Sequence, residues 1–541
     1  MGGRLSRSRR LAPATVAAIA ACLACLAAGC GGGSTGSAPV AFGQVTSAHH
    51  APAALPVQVT VTPRATTVPV PRSYLGLSTE YWALPVWLPH MRLLERALSL
   101  VRVRGGGPLI LRIGGDSADH AIWDPRGTPL PEWAFTVGPG WIAQTRALVR
   151  RLGIRLLLDL NLITSSPASA AAWAGAAEAR LPHGSIAGFE VGNEPDIYSR
   201  ADWRVITHPS GSRLLPQLAG SGPRPRLPAR MTARRYAADF LAFARALRAV
   251  APGVPLAGPE LGDPITHRTW VGALLSGAAG SVGLVSIHRY PYTACPRRRR
   301  TRGYATIGRL LSRAATTGMA DALRPAIRTA HRAGLPLRLT ELNSVNCGGR
   351  PGVSDAFATA LWAPGALFAL LRAGVDGINI HVRASAINAP FAITARGLTA
   401  RPLLYGLVLF ARALGPSARL VQIETRHPRA AAVSAWAVRV GRDTLHVLLI
   451  DRGRRSLRVS LRVPGTGAAG VQRLLAPSPD SRTGVTLGGQ SLAPDGSWRG
   501  RPVREQVAPR RGRYVVGVPR QSAALLTVRL STDVTRRPGG T

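Results

Sequence analysis

Between residues 57 and 412 short apolar runs alternate with longer stretches whose apolar residues return every three or four positions. A strand presents side chains to one face at every second residue and a helix at about every 3.6, so the two textures predict different elements. Strands are predicted near 74–78, 108–113, 154–160, 187–191, 254–258, 283–288, 336–341 and 375–381. Helical spacing marks Trp141 to Leu152, Ala233 to Val250 and Ala356 to Ala373. Strands alternating with helices favour a parallel sheet, and eight such units predict an α/β fold of the (β/α)8 TIM-barrel kind. Catalytic groups of such a barrel gather at the C-terminal ends of its strands. Past Pro416 the pattern becomes β-rich: Ala431 to Ala437, Thr444 to Ile450, Ser456 to Val463 and Ala523 to Leu530 alternate between Gly, Pro and Asp turns. That predicts a C-terminal β-sandwich, which the early alternating run Val57 to Thr62 is expected to join.

The chain has 541 residues, 46% hydrophobic and 17% charged, enough for a large catalytic core plus an accessory domain. The expected organisation is an export signal with a lipobox at 1–30, a flexible linker at 31–55, a sandwich-joining strand at 56–70, the barrel at 71–415, the sandwich at 416–531 and a disordered tail at 532–541. The signal is read from Arg4, Arg7, Arg9 and Arg10 before the apolar stretch Leu11 to Ala28. Leu26-Ala27-Ala28-Gly29-Cys30 then resembles a bacterial lipobox, with its leucine one place further upstream than usual. Acylation at Cys30 would make the protein an extracytoplasmic lipoprotein on the outer face of a bacterial membrane; simple cleavage would make it secreted. No later stretch is apolar enough to span a bilayer. Losing the signal removes Cys22 and Cys25, so Cys295 and Cys347 are left as a disulfide candidate or as two unlinked thiols.

All 68 basic residues are arginine, and the formal charge is +42. The arginines are spread along the chain without zinc-finger spacing or basic-zipper heptads, so nucleic acid is not an expected partner. An anionic polysaccharide would be attracted to such a surface at low salt. The densest run, Arg297 to Arg300, reads as a solvated loop or as a binding subsite.

The chemistry is carried by two glutamates, each at the end of an apolar strand. Glu194 stands in Gly188-Phe189-Glu190-Val191-Gly192-Asn193-Glu194-Pro195 after strand four, and Glu341 in Leu337-Arg338-Leu339-Thr340-Glu341 at the end of strand seven. Retaining glycoside hydrolysis needs a carboxylic acid to protonate the leaving oxygen and a second carboxylate, about 5 Å away, to attack the anomeric carbon. The Asn193 amide is placed to hydrogen-bond a sugar 2-hydroxyl. Strand alternation would turn Arg338 away from the Glu341 face. The mechanism calls for no metal and no cofactor, and no metal-ligand cluster or nucleotide loop is read in the sequence.

Asn193-Glu194-Pro195 with a late second glutamate resembles the clan A glycoside hydrolases. Leu111-Arg112-Ile113-Gly114-Gly115-Asp116-Ser117-Ala118-Asp119, Trp123-Asp124-Pro125, Gly76-Leu77-Ser78-Thr79-Glu80, Ser286-Ile287-His288-Arg289-Tyr290 and Tyr405-Gly406-Leu407 more narrowly resemble glycoside hydrolase family 79, the heparanase and β-glucuronidase family. The resemblance implies Glu194 as acid/base and Glu341 as nucleophile. It implies a sugar subsite lined by Glu80, Asp116, Asn193 and Tyr290, with His288 and His381 close by. Asp116 could equally cap a helix, the two histidines could be satisfied core residues, and Tyr290 could be rim packing. Family members that take glucuronate receive its carboxylate on a tyrosine and a glycine-rich loop after the nucleophile. This chain has Asn346-Cys347-Gly348-Gly349 there, so Asn346, Gly348 and Gly349 are expected to serve without the tyrosine. The expected function is a retaining β-glycosidase, β-glucuronidase-like, acting on carbohydrate. Another clan A activity (β-xylosidase or arabinofuranosidase) and a non-catalytic polysaccharide-binding lipoprotein are the alternatives.

Overall fold

A computed structural model of the chain describes residues 53–531 except 66, 132, 204–225, 296–300 and 385. The expected export signal with Cys30, nearly all of the expected linker, the Arg297 to Arg300 run and the expected tail lie outside the described residues. Eight parallel strands close the barrel: β1 (Leu75–Glu80), β2 (Ile110–Gly114), β3 (Arg155–Leu160), β4 (Ile186–Val191), β5 (Leu256–Leu261), β6 (Leu284–Arg289), β7 (Leu337–Leu342) and β8 (Gly377–His381). Each coincides with a predicted run. β1 extends past the predicted end, so Glu80 is its last residue.

Because the barrel faces helices outside and itself inside, its strands are buried on both sides, and continuous apolar runs rather than strict alternation mark them. The ladder is irregular at three places that matter. Pro259 of β5 pairs with Ser286 and Leu261 with Ile287, leaving Glu260 as the extra residue. The β6–β7 register shifts between Ile287 and His288, and the β7–β8 register between Leu339 and Leu342. Such bulges re-aim side chains, and here they break the alternation expected of β7. Thr340 and Glu341 both reach buried polar groups around the barrel axis, while Arg338 donates to Asn379 and to the Ser73 and Ile378 carbonyls. Arg338 thus has no contact with Glu341, though for a different reason than alternation.

The sandwich consists of a four-stranded sheet and a larger sheet of eight strands. The N-terminal strand Leu55–Thr62 lies in the smaller one, parallel to Leu457–Arg462 and antiparallel to Gln422–Arg426. Its strict burial alternation puts Val57, Val59 and Val61 into the core between the sheets. The other face of the larger sheet contributes Trp436, Leu448, Ile450 and Leu525 to the barrel's own core. Two helices, Ala358–Ala373 and Pro402–Ala413, are covered almost all round by this junction, which explains why their sequences are apolar on every side. Phe368 stacks on Trp436 at 5.6 Å across it. Gly406 allows the two helices to approach, since a Cβ there would lie 2.5 Å from the Ala360 carbonyl oxygen.

Candidate active site

The structure brings Glu194 and Glu341 together. A carboxylate oxygen of each, and Nδ1 of His288, lie within 4.8 Å of one another. Glu341, the last residue but one of β7, is almost buried, whereas the Glu194 side chain keeps 23% of its surface exposed. The two carboxylates have different surroundings. Burial alone would raise Glu341, but His381, His288, the Arg112 guanidinium and the Tyr290 hydroxyl hold it well below the usual carboxylate range. Tyr290 donates its hydroxyl to Glu341 Oε1, and Arg112 Nη1 donates to Oε2 at 3.0 Å. Glu194 is pushed up to about 7, chiefly by burial and further by the Glu341 charge, against the opposing hydrogen bond from His288. One carboxylate is therefore ionised at neutral pH while the other can carry a proton, which is the division of labour glycosidic cleavage requires.

His288 is wholly buried, with Nδ1 at 3.0 Å from Glu194 Oε1 and Nε2 at 2.8 Å from Glu260 Oε2. Burial disfavours its charged form, but Glu341, Glu194 and Glu260 outweigh that and raise it well above the ordinary histidine range. His381 lies 3.5 Å from Glu341 Oε2 and 3.8 Å from Glu80 Oε1. The buried carboxylate of Glu80 accepts the Ser117 N–H at 2.9 Å and Arg383 Nη2 at 3.0 Å. Arg383 also pairs with Asp116, whose side chain is half-exposed. The 3-10 turn Gly115–His120 directly after β2 supports this corner. Gly115 sits at φ +72°, and a Cβ there would lie 2.8 Å from Glu80 Oε1. Gly115→Ala is accordingly expected to cost about 1–3 kcal/mol in urea unfolding, since left-handed strain and a clash with a buried carboxylate combine.

Arg112 was not singled out by sequence reasoning, yet it is the hub. Fully buried, it donates Nε to Glu190 at 2.7 Å, and Nη2 to Asp159 at 2.9 Å, Asn193 Oδ1 at 3.1 Å and Glu260 at 3.2 Å. Holding the Asn193 oxygen fixes the amide's orientation and turns its NH2 away from the guanidinium. Glu260, also missed, accepts a further hydrogen bond from the Thr340 hydroxyl at 3.0 Å.

One group of the expected carboxylate receiver after β7 is already taken. Gly349 donates its N–H to the Asn346 carbonyl at 3.0 Å, and the Gly348 carbonyl accepts from Ile387 at 3.1 Å. The Gly349 amide is thus spent inside its own loop and is not offered to a sugar carboxylate. Cys295 and Cys347 form a disulfide that joins the loops following β6 and β7, the strands that carry His288 and Glu341. Asn343, two residues after Glu341, donates to the His381 and Asn388 carbonyls and so braces the β8 end.

An eight-stranded barrel that brings two acidic groups together beyond β4 and on β7 can carry out glycoside hydrolysis. Residues 429–525 match the family model described as the glycosyl hydrolase family 79 C-terminal beta domain. The resemblance to glycoside hydrolase family 79 carried by the barrel segments is thus met independently in the sandwich, which supports a glycoside hydrolase. No curated protein matches the chain. Among solved structures, a 4-O-α-L-rhamnosyl-β-D-glucuronidase from Fusarium oxysporum 12S, in complex with Rha-GlcA, is similar at 17% identity, with 87% of this chain and 100% of that one covered and a TM-score of 0.70. A family 51 arabinofuranosidase from Xanthomonas axonopodis pv. citri is similar at 15% identity over 88% of this chain and 100% of its own, TM-score 0.61. An α-L-arabinofuranosidase from Thermotoga maritima, in an arabinose complex, gives 16%, 88%, 100% and 0.61. At these identities the likeness concerns the fold.

Proposed function

We propose that the protein is a retaining β-glycosidase in which Glu194 is the acid/base and Glu341 the nucleophile, with glucuronosides as the preferred substrate class. The observation that carries the reading is the approach of the two carboxylates to within 4.8 Å, the spacing of direct attack rather than of an intervening water. Glu341 attacks the anomeric carbon as the proton on Glu194 passes to the departing oxygen. Water then attacks the glycosyl-enzyme, giving its proton to Glu194 and releasing Glu341. The family 79 domain and the glucuronidase-like fold support glucuronosides. A second reading, arabinofuranoside or xyloside hydrolysis, is favoured by the Gly349 amide being occupied and by the family 51 folds. Nitrophenyl glucuronide, xyloside, glucoside and arabinofuranoside assayed side by side separate the two; preference for the xyloside or arabinofuranoside overturns the first.

Glu194→Ala is expected to lower kcat/KM on substrates with poor leaving groups by roughly 10²–10⁴ and on dinitrophenyl glycosides far less, because only the former need the proton in the first step. Equal losses on both would remove Glu194 from the acid role. The pH dependence has a definite sign. Glu194 must be protonated, so kcat/KM falls as pH rises through about 7, whereas Glu341 stays ionised at mildly acid pH and imposes no limb there. The leader supports an extracytoplasmic, lipid-anchored location through Cys30, and the arginine-rich composition supports attraction to anionic polysaccharide. Mass spectrometry of the N-terminal peptide from membrane fractions tests the first; salt-dependent retention on a polyuronate column tests the second.

A further inference from the structure

Glu260 belongs to neither carboxylate of the pair, yet it holds the acid/base from two sides. Its backbone carbonyl accepts the Glu194 N–H at 3.1 Å. Its side chain accepts His288 Nε2 at 2.8 Å, and the opposite nitrogen of that ring meets Glu194 Oε1 at 3.0 Å. Glu260 is the bulged residue of β5, with φ at +54°, and Glu194 itself lies at +46°. Left-handed backbone is disfavoured for any side chain with a Cβ, so two such residues bonded to each other form an arrangement the surroundings must impose. Asp196 contributes by accepting the Gly262 and Asp263 N–H groups at 2.8 and 2.9 Å, which ties the chain after Glu194 to the chain after Glu260.

We propose that Glu260 is a positioning residue that, through His288 and through its own backbone, aims the Glu194 carboxyl and keeps one of its oxygens free for the leaving group. This rests on the acid/base reading of Glu194 above. As a carboxylate, Glu260 has no proton to give, so His288 Nε2 carries the hydrogen. With Nδ1 also protonated, the imidazolium donates to Glu194 Oε1, and the acid proton is confined to Oε2, toward the sugar. Glu260 is not consumed: in glycosylation the Glu194 proton goes to the glycosidic oxygen, and in the second step Glu194 takes one from water. The groups around Glu260 and His288 are Arg112 from β2, Asp159 from β3, Glu190 from β4, Glu341 and Thr340 from β7, and the Tyr236 hydroxyl outside the strands. His288 itself, then Arg112 and the Thr340 hydroxyl, favour ionised Glu260, which joins Glu341 and Glu194 in keeping His288 charged.

Glu260→Gln keeps the shape and removes the charge. Compared with parent on phenyl and dinitrophenyl glycosides of the preferred sugar, it is expected to lose roughly tenfold to a hundredfold in kcat/KM on the phenyl substrate, part of what a general acid contributes, and little on the dinitrophenyl one. Its alkaline limb is expected to move up by roughly one pH unit, because neutral His288 no longer stabilises the Glu194 carboxylate. Thr340→Val, which removes one donor to Glu260, should shift the limb in the same direction by less, and it serves alone if Glu260→Gln does not fold. An unmoved limb together with equal losses on both substrates overturns the proposal while leaving the acid role intact. That role is judged separately, by the substrate dependence of Glu194→Ala.

Discussion

Glu341→Gly is expected to abolish hydrolysis, with a loss of at least roughly 10⁴-fold, and to regain turnover in sodium azide as a glycosyl azide of inverted configuration. The glycine leaves a gap on the face of the sugar opposite the leaving group, where azide can attack C1 while Glu194 still supplies the proton. Glu194→Ala predicts the opposite anomer. Its nucleophile still forms the glycosyl-enzyme from an activated aryl substrate, and azide then enters from the side the leaving group vacated, so configuration is retained. Proton NMR of the two products distinguishes them. Matching anomers, or no rescue in either variant, would sink the assignment, and carbohydrate binding by a parent protein that turns nothing over would favour the polysaccharide-binding alternative. The expectation rests on Glu341 being ionised and hydrogen-bonded on both oxygens, by Tyr290 and Arg112, while its side chain keeps 10% of its surface exposed.

Much of this was readable in the sequence, for a physical reason. Barrel strands are apolar on both faces, so their runs stand out from the intervening amphipathic helices, and strand ends locate the catalytic residues. Glu194 and Glu341 were reached by that route, whereas Glu80, His288, Tyr290 and His381 came from the resemblance to family 79. Arg112, Asp159, Glu190 and Glu260 were not singled out, although each is an ionisable residue set among apolar neighbours inside a strand. Such a residue cannot be buried alone, and several of them on successive strands imply a network at the axis. That signal was available. The bulges at Glu260 and at the end of β7 were not available, because register is decided by neighbouring strands rather than by local pattern. That the Gly349 amide is taken within its own loop was not legible either, because composition does not say which amide is already bonded.

The largest stability effect is expected at Arg112. Arg112→Leu should destabilise the protein by about 3–5 kcal/mol near pH 8, measured by urea unfolding, because it leaves Asp159, Glu190, Glu260 and Glu341 without their shared cation. Arg112→Lys should recover only part of this: a single ammonium cannot serve partners that the guanidinium reaches in separate directions through Nε, Nη1 and Nη2. The deficit also has a pH signature. Burial and neighbouring carboxylates already push Glu190 up to about 8 and Asp159 well above its ordinary value in the parent. Removing the cation raises them further above their unfolded values. A group with a raised folded pKa favours the folded state below its unfolded pKa and loses that advantage as pH rises through the folded one. The gap between Arg112→Leu and parent should therefore narrow toward acid pH, where the stranded carboxyls take up protons instead of remaining charged. A gap below about 1 kcal/mol at pH 8, or one that is constant between acid and alkaline pH, would mean that the network is not held by its arginine.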